Sequence, residues 1–251
     1  MKLNIITFNI RCCDDDNNNS IRERAPRLFE VTSRYDADII GFQEYTPEWE
    51  PFVLKCYSDK YDMYSKYRCE DDPEGVPLLW NKEKFEMLKT GHFWLSDTPE
   101  VESKGWDEVY DCYRICVYAV LKDRESGECF TVMNTHFGFG DKGQADSCRL
   151  IYDYSKKISD NKTFVIGDFN MIPDSVGYRE MVKYFRDVNV CTVNDMRSTF
   201  HDYDPSVDKN EHIDYCFIDE NITPVNYTMI TDTIEGKYPS DHFGLHIELE
   251  V

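Results

Sequence analysis

The sequence predicts an α/β fold in which two sheets pack face to face with helices outside. Three observations carry that expectation. Short apolar, β-branched runs recur along the chain, several are apolar at consecutive positions, and only a few segments hold helical spacing over several turns. A strand that alternates apolar and polar buries one face, whereas a strand apolar throughout must be covered on both. Such strands call for a second sheet on one side and helices on the other.

The elements follow in order. Residues 3–10 form the first doubly apolar run. Ser20-Ile-Arg-Glu23 matches a capping box, and Leu28, Val31 and Thr32 continue at helical spacing to about Tyr35. Ala37–Phe42 predicts a second buried strand. Thr46-Pro47 predicts a helix with Pro at its first position, running through Trp49, Phe52, Val53 and Cys56. Shorter strands are expected near 61–67, 77–81 and 85–89. Gly91–Asp111, rich in Trp, Ser, Asp and Gly, reads as a long irregular loop, and loops of that length are usually functional or mobile. Tyr113–Leu121 and Cys129–Thr135 read as paired strands joined by a turn at Asp123–Gly127. A helix fits 142–158, Thr163–Ile166 another buried strand, and Asp174–Tyr184 a further helix. Ile213–Ile218, Val225–Ile230 and Gly244–Glu250 are the last strands. No repeat or linker divides the chain, so residues 1–251 are expected to form a single domain.

The 48 acidic residues outnumber the 28 basic ones, giving a net charge of −20. A protein that grips long duplex nucleic acid normally presents a basic stripe, so generic duplex binding is disfavoured. A single-stranded nucleic acid or a small phosphodiester remains open as a substrate. The ten cysteines include no C-x-x-C pair, and Cys116, Cys191 and Cys216 lie in apolar runs as small hydrophobes. No apolar run approaches the ~18 residues of a membrane span. The chain enters a strand directly after Met1-Lys2, so the cytoplasm is the expected compartment unless a leader peptide has been removed.

Several buried strands end abruptly in a polar group. Leu3-Asn-Ile-Ile-Thr-Phe ends in Asn9, Ile39-Ile-Gly-Phe-Gln in Glu44, and Cys129-Phe-Thr-Val-Met-Asn-Thr in His136. Val165-Ile-Gly runs into Asp168-Phe-Asn170, where residues two apart share a face, so both polar tips point one way while Phe169 anchors behind. Pro239-Ser240 supplies a bend that can bring both members of Asp241-His242 to one place. Strand ends deliver such groups to a sheet edge, and Glu, Asp, Asn and His are the groups that metal-assisted phosphoryl chemistry uses. Singly, each has a plainer reading: a strand-end Asn often only starts a turn, and a lone His is usually structural. Asp214 lies inside an apolar strand, where an ionised carboxylate needs a partner, and a histidine is the natural one. Arg114 could grip a phosphate or form an ordinary ion pair. Trp94 and Trp106 could stack a base at the rim or pack the loop onto the body. Asp14–Ser20 fails as a calcium loop, with Asn19 at the Gly position and Ala25 at the Glu position, and reads as a solvated loop. His201, in a polar, turn-rich segment with Asp202 and Asp204, is expected at the surface.

Taken together, Asn9, Gln43-Glu44, Asn134-Thr-His136, Gly167-Asp-Phe-Asn170, His212-Ile-Asp214 and Ser240-Asp-His242 resemble the endonuclease/exonuclease/phosphatase superfamily over nearly the whole chain. The resemblance implies a four-layer α-β-β-α sandwich with the site at one end of the paired sheets. It implies Mg²⁺, or Mn²⁺, held by Glu44 with Asn9 and Asp241 near it. It implies His242 as general base or phosphate-stabilising imidazole, and Asp168 and Asn170 as the groups orienting water and phosphate. Asp214 would fix the tautomer of His136 or His242. His136 matches the deoxyribonuclease-like and deadenylase-like branch and would protonate the leaving oxygen. Phe169-Asn-Met-Ile172 and His212-Ile-Asp214-Tyr depart from the inositol phosphatase pattern, and the segment Phe93–Trp106 resembles bacterial members of the family. The expected activity is metal-dependent hydrolysis of a phosphodiester by in-line attack of water, first of a nucleic acid, as in a 3′-5′ exonuclease. A small-molecule or lipid-headgroup phosphodiesterase or phosphatase is the alternative, and a non-catalytic binding module the remote one.

Overall fold

The computed structural model describes residues 1–251. The chain opens with β1 (Lys2–Asn9), α1 (Ile21–Ser33), β2 (Ile39–Gln43), α2 (Glu50–Tyr57), β3 (Tyr61–Tyr64), β4 (Leu78–Asn81) and β5 (Phe85–Trp94). It continues through β6 (Ile115–Asp123), β7 (Cys129–His136), α3 (Asp141–Ile158), β8 (Lys162–Asp168), α4 (Val176–Met181), β9 (Arg186–Asp187) and α5 (Val188–Cys191). Strands β10 (Asp214–Ile218), β11 (Thr223–Ile230) and β12 (Gly244–Glu250) complete it.

Two six-stranded sheets result, ordered β11-β12-β1-β2-β4-β3 and β5-β6-β7-β8-β10-β9. Each is antiparallel except for one parallel pair, β1 with β2 and β7 with β8. In both cases a helix makes the crossover, α1 in the first sheet and α3 in the second. The doubly apolar strands are explained by three stacked cores. Leu3, Ile5 and Ile39 point inward against Val117, Val132, Phe164 and Ile166 of the other sheet. Ile6, Phe8, Ile40 and Phe42 point outward beneath Leu28 and Val31 of α1 and Val53 of α2. Met133, Val165 and Phe217 do the same beneath Cys148 and Ile151 of α3. The four-layer sandwich follows from these alternations.

Polar contacts tie the sheets together near the ends that carry the site. Gln43 Nε2 donates to Asn134 Oδ1 at 2.7 Å, and Asn134 Nδ2 donates to the carbonyls of Phe42 and Pro77 at 2.8 and 2.9 Å. Gly41 makes that approach possible: a Cβ there would stand 2.7 Å from Ile166 Cδ1 and 2.9 Å from Asn134 Cγ.

Some elements differ from their expected form. The Ser20 capping box is present, with Ser20 N–H donating to Glu23 Oε2 at 3.1 Å. Asp14 also caps α1, accepting from Ile21 N at 2.7 Å, so the Asp14–Ser20 loop is a built entrance to the helix. The helix expected from Pro47 begins at Glu50, because Thr46 O first closes a turn onto Trp49 and Glu50. The strand expected at 85–89 runs on to Trp94, which shortens the irregular segment. The part beyond the expected strand carries Gly91 and is only half-buried from Thr90 to His92, so it shows no apolar alternation, although residues 86–89 face solvent and a bulge lies between Met87 and Lys89. The helix expected over Asp174–Tyr184 is confined to α4, and β9 and α5 are too short to leave a periodic signal. No helix is long and apolar enough to cross a membrane.

Replacing Gly41 with alanine forces a methyl into the inter-sheet contact. The expected loss is about 1–3 kcal/mol in urea unfolding, with an unchanged m-value.

Candidate active site

The strand register brings the polar tips together. His136 is paired with Asp168 across β7 and β8, and Asp168 with Asp214 across β8 and β10, so three adjacent strands end in site residues. From the other sheet, β1 contributes Asn9, and Glu44 follows β2 directly. The chain leaves β2 with Glu44 in the left-handed region, φ 61°, which turns its carboxylate away from the core. Asn9 joins the two halves: its Nδ2 donates to Glu44 Oε1 at 3.0 Å and to Asp168 Oδ2 at 2.9 Å.

Glu44 Oε2 accepts from Cys12 N at 2.7 Å. Burial alone would raise this carboxyl, but the His136 ring, the Asn9 amide and the Cys12 N–H outweigh it and bring the pKa down to about 2. The loop carrying Cys12 is held by the fully buried Arg24. Its Nη2 donates to the carbonyls of Arg11 and Cys13 at 2.9 and 2.7 Å, and its Nη1 to Tyr203 Oη at 2.6 Å. Trp49 Nε1 adds a second bond to Arg11 O at 2.9 Å. Arg11 thereby reaches Asp241, Nε to Oδ2 at 3.5 Å. Burial pushes the Asp241 carboxyl up and the Glu44 charge adds to it, although His242 and Arg11 oppose the shift.

The Pro239-Ser240 bend is present: Ser240 Oγ bonds Asn9 O at 2.7 Å and contacts Asp241 Oδ1 at 3.1 Å. His242 turns Nδ1 to Asp214 Oδ2 at 2.9 Å and Nε2 towards Asp168 Oδ2 at 3.9 Å. Asp214 therefore partners His242, which decides between the two histidines. Burial disfavours charge on His242, but Asp214 at contact distance, with Asp241 and Asp168 nearby, raises its pKa to about 10. Asp168 moves the other way from Glu44, its carboxyl raised chiefly by burial and also by Asp214, against the two histidines.

His136 lies with Nε2 at 3.1 Å from Asn170 Nδ2 and 3.5 Å from Asp168 Oδ2, and with Nδ1 at 3.4 Å from Glu74 Oε1. Asn170, at φ 48°, also donates to Phe137 O at 2.9 Å, while its own N–H bonds Asp168 Oδ1 at 2.9 Å. Phe169 is buried between Phe137 and Phe217, ring centroids at 4.8 and 5.1 Å, so it anchors the string from behind.

Glu44, His136, Asp168, Asn170, Asp241 and His242 line a cavity of about 760 Å³, with Arg11, Arg68, Glu74, Arg114, Tyr110, Phe139 and Phe200 on its walls, while Asn9 and Asp214 sit behind it. Arg114 is there, bonded through Nη2 to Asp107 Oδ2 at 3.3 Å. Neither tryptophan is. Trp94 is 6 % exposed and donates Nε1 to Arg68 O at 2.8 Å, while Trp106 Nε1 reaches Asp97 at 3.3 Å. Trp94 is buried in the body, and Trp106 lies within the segment, its backbone against Gly143 of α3, the alternative their positions had left open. Arg68, Glu74 and Phe200 escaped notice because they sit in loops, with no strand run to point at them.

Glu44 and Asp241 both line the cavity and offer hard oxygen ligands, and the Glu44 charge contributes to the elevation of the Asp241 carboxyl. Asn9 lies behind the cavity, its Oδ1 accepting from Arg11 N at 3.0 Å and its Nδ2 joining Glu44 to Asp168. Asp168, Asp214 and His242 also bring ligand atoms within 4.8 Å of one another and could hold an ion. The 2.9 Å contact between His242 and Asp214, however, is a hydrogen bond with a proton in it.

The endonuclease/exonuclease/phosphatase family model matches residues 6–242. The chain belongs to this family. Its members are hydrolases acting on phosphate esters and generally use a divalent metal ion. A family protein from Bacteroides thetaiotaomicron superposes with a TM-score of 0.90 at 26 % identity, over 99 % of this chain and 97 % of that one. A mannosyl-6-phosphatase from the same organism gives 0.88 at 25 % identity, over 99 % and 100 %. An uncharacterised protein of Acanthamoeba polyphaga mimivirus is 29 % identical over 157 residues, 59 % of this chain. The chain spans 58 % of that protein's length, and 28 % of a second mimivirus relative.

His201 is not at the surface as its polar segment suggested. It is 1 % exposed, its ring centroid 4.2 Å from Phe243 and 4.7 Å from Tyr238, because its backbone N–H is drawn inward to Asp241 O at 2.9 Å. Burial, and then the charge on His242, lower its pKa to about 4. Its free pKa is ~6.5, so unfolding takes up a proton between those values; the stability contributed by the neutral ring is full above pH ~6.5 and is lost as pH falls towards 4. In His201→Phe, about 3 kcal/mol of the acid-side loss between pH 6.5 and 4 is expected to vanish from urea-unfolding curves.

Proposed function

We propose that this protein is a Mg²⁺- or Mn²⁺-dependent phosphohydrolase acting on a small phosphate ester bound in the cavity. The observation that carries this reading over the nucleic-acid one is charge. Each arginine on the cavity wall is already neutralised: Arg11 by Asp15 and Asp241, Arg68 by Asp72 and Glu74, Arg114 by Asp107. Together with a net charge of −20, this leaves no basic track for a phosphate backbone. The likeness to a mannosyl-6-phosphatase over 99 % of the chain supports the same choice.

Glu44 and Asp241 would hold the cation, with Asn9 bridging Glu44 to Asp168. When bound, the ion neutralises charge on the phosphoryl oxygens and polarises the phosphorus for attack. Asp168, its carboxyl raised by burial and by Asp214, accepts a proton from the attacking water, which Asn170 orients. His242, kept protonated by Asp214, directs Nε2–H to a phosphoryl oxygen and stabilises the charge that builds there. His136, its ring held between Glu74 and Asp168, gives a proton to the leaving oxygen. Phosphate-ester hydrolysis requires on the order of 20 kcal/mol of barrier lowering, and positioning with charge stabilisation can supply it. No covalent enzyme intermediate is involved.

Phosphate release from p-nitrophenyl phosphate is expected to stop with EDTA and return with Mg²⁺ or Mn²⁺. Glu44→Gln should also shrink the Mn²⁺-induced rise in melting temperature; an undiminished rise would place the ion elsewhere. His242→Gln, which keeps a donor for Asp214, should lower kcat by about 10²–10³-fold with little change in Mn²⁺ affinity. Near-normal turnover would remove His242 from the mechanism. Single-stranded oligonucleotides, assayed alongside, are expected to be poor substrates, and preference for them would return the nucleic-acid reading.

A further inference from the structure

The chemistry at Glu44 uses the main chain of Cys12 but neither thiol of the Cys12-Cys13 pair. The two sulfurs lie 3.2 Å apart, close enough for one thiol to donate to the other. Both are free, Cys12 half-buried on the cavity wall and Cys13 exposed beside it. Neighbouring side chains point to opposite faces of an extended chain, so two sulfurs at this distance need a bend. The chain bends at both residues, directly after Arg11 at φ 64°. A dithiol is thereby held side by side, one member open to solvent and the other at the cavity.

The backbone on either side of the pair is clamped. Arg11 O accepts from Arg24 Nη2 and from Trp49 Nε1, each at 2.9 Å, and Cys13 O accepts from Arg24 Nη2 at 2.7 Å. Between these holds, Cys12 N–H donates to Glu44 Oε2 at 2.7 Å. Disulfides usually join Cα atoms ~4.4–6.8 Å apart, whereas neighbours across a trans peptide are ~3.8 Å apart. Closing a ring through adjacent cysteines therefore changes the torsions on both sides of the Cys12–Cys13 peptide. With the carbonyls of Arg11 and Cys13 held by the buried Arg24, that change falls on the Cys12 N–H. A ring so constrained is also readily reduced, which suits a reversible pair rather than a fixed staple.

We propose that Cys12 and Cys13 form an oxidative modification site, closed by a peroxide into a disulfide between neighbours that releases Glu44 from the Cys12 N–H. The exposed Cys13 reacts first, as its thiolate. Its sulfur attacks one peroxide oxygen, the O–O bond breaks, and hydroxide leaves to take a proton from solvent, so that Cys13 becomes a sulfenic acid. The Cys12 sulfur then attacks the Cys13 sulfur. The S–S bond forms as the S–O bond breaks, and the departing hydroxide leaves as water with the Cys12 proton. Two thiols are oxidised and one peroxide is reduced to water. An external dithiol reverses the change by exchange. The pairing and the release stand on contacts of this chain alone; only their consequence, weaker cation binding at Glu44, rests on the phosphohydrolase reading.

The test treats the protein with hydrogen peroxide, alkylates it and cleaves it with trypsin, which cuts after Arg11 and Arg22 and places both cysteines on one peptide, Cys12–Arg22. That peptide is expected to carry no alkyl group and to have lost two hydrogens, and to take both alkyl groups after dithiothreitol. Both thiols still open to alkylation while the exposed Cys191 is oxidised overturns the pairing, as does Cys13 over-oxidised or joined to another cysteine. In ¹⁵N NMR, the Cys12 amide should exchange with solvent about tenfold faster or more in the disulfide form. An unchanged rate overturns the release of Glu44. Cys13→Ser, at an exposed side chain, should keep the slow rate after peroxide, and a fast one there overturns the link to the disulfide. The Mn²⁺-induced rise in melting temperature should shrink on oxidation and recover with dithiothreitol, and a rise untouched by oxidation overturns the consequence at Glu44. A reduced protein with no such rise removes the cation reading instead, while the peptide and the amide still decide the proposal.

Discussion

The site depends on hydrogen bonds that cross from one sheet to the other. Asn9 on β1 reaches Asp168 on β8 at 2.9 Å while also holding Glu44 at 3.0 Å. Gln43 reaches Asn134 at 2.7 Å beside it. Apolar packing between sheets has no strong preference for one offset over another, because the side chains are similar and non-directional. Buried amides do have one, since a slip of one residue would leave them unpaired at a cost of about 1–3 kcal/mol each. These contacts fix the relative position of two half-sites that no single sheet contains, and Gly41 leaves the room they need.

Around that frame, opposite pKa shifts divide the labour. Against burial, Glu44 is held down by the His136 ring, the Asn9 amide and the Cys12 N–H, and so stays anionic, as the proposed ligand role requires. Asp168 is raised by burial and by Asp214, which fits the proposed role of accepting a proton. Asp214, buried and bonded to His242, keeps that ring cationic. Groups of similar chemistry are thus separated in role by which neighbours each strand supplies. The supporting layer is equally specific: Arg24 does not line the cavity, yet its bonds to the Arg11 and Cys13 carbonyls hold the loop from which Cys12 reaches Glu44.

Much of this was legible in the sequence because strand ends are readable. Ile39-Ile-Gly-Phe-Gln-Glu44 and Val165-Ile-Gly-Asp-Phe-Asn170 announce a buried strand and then a polar tip, and the tips do meet. The doubly apolar pattern of β1 likewise implied cover on both faces, which the three stacked cores supply. The sequence was silent where no periodic element carries the residue. Glu74 and Arg68 lie in a loop between β3 and β4, and their position at the cavity follows only from how that loop folds back, with Gly75 bridging to Tyr45 and Tyr67. His201 misled for the converse reason: polar neighbours in sequence were no guide once its backbone was hydrogen-bonded to Asp241. The tryptophans Trp94 and Trp106 looked like rim residues in an irregular loop, but Trp94 ends β5, where β6 draws it into the core.

On the proposed reading, side chains from two sheets bind one divalent cation between Glu44 and Asp241, next to Asp168 and His242. Anomalous diffraction from crystals soaked in Mn²⁺ tests it most directly. A single strong peak is expected within bonding distance of the Glu44 and Asp241 carboxylates. A peak between Asp168, Asp214 and His242 in its place, or none at saturating Mn²⁺, would contradict it.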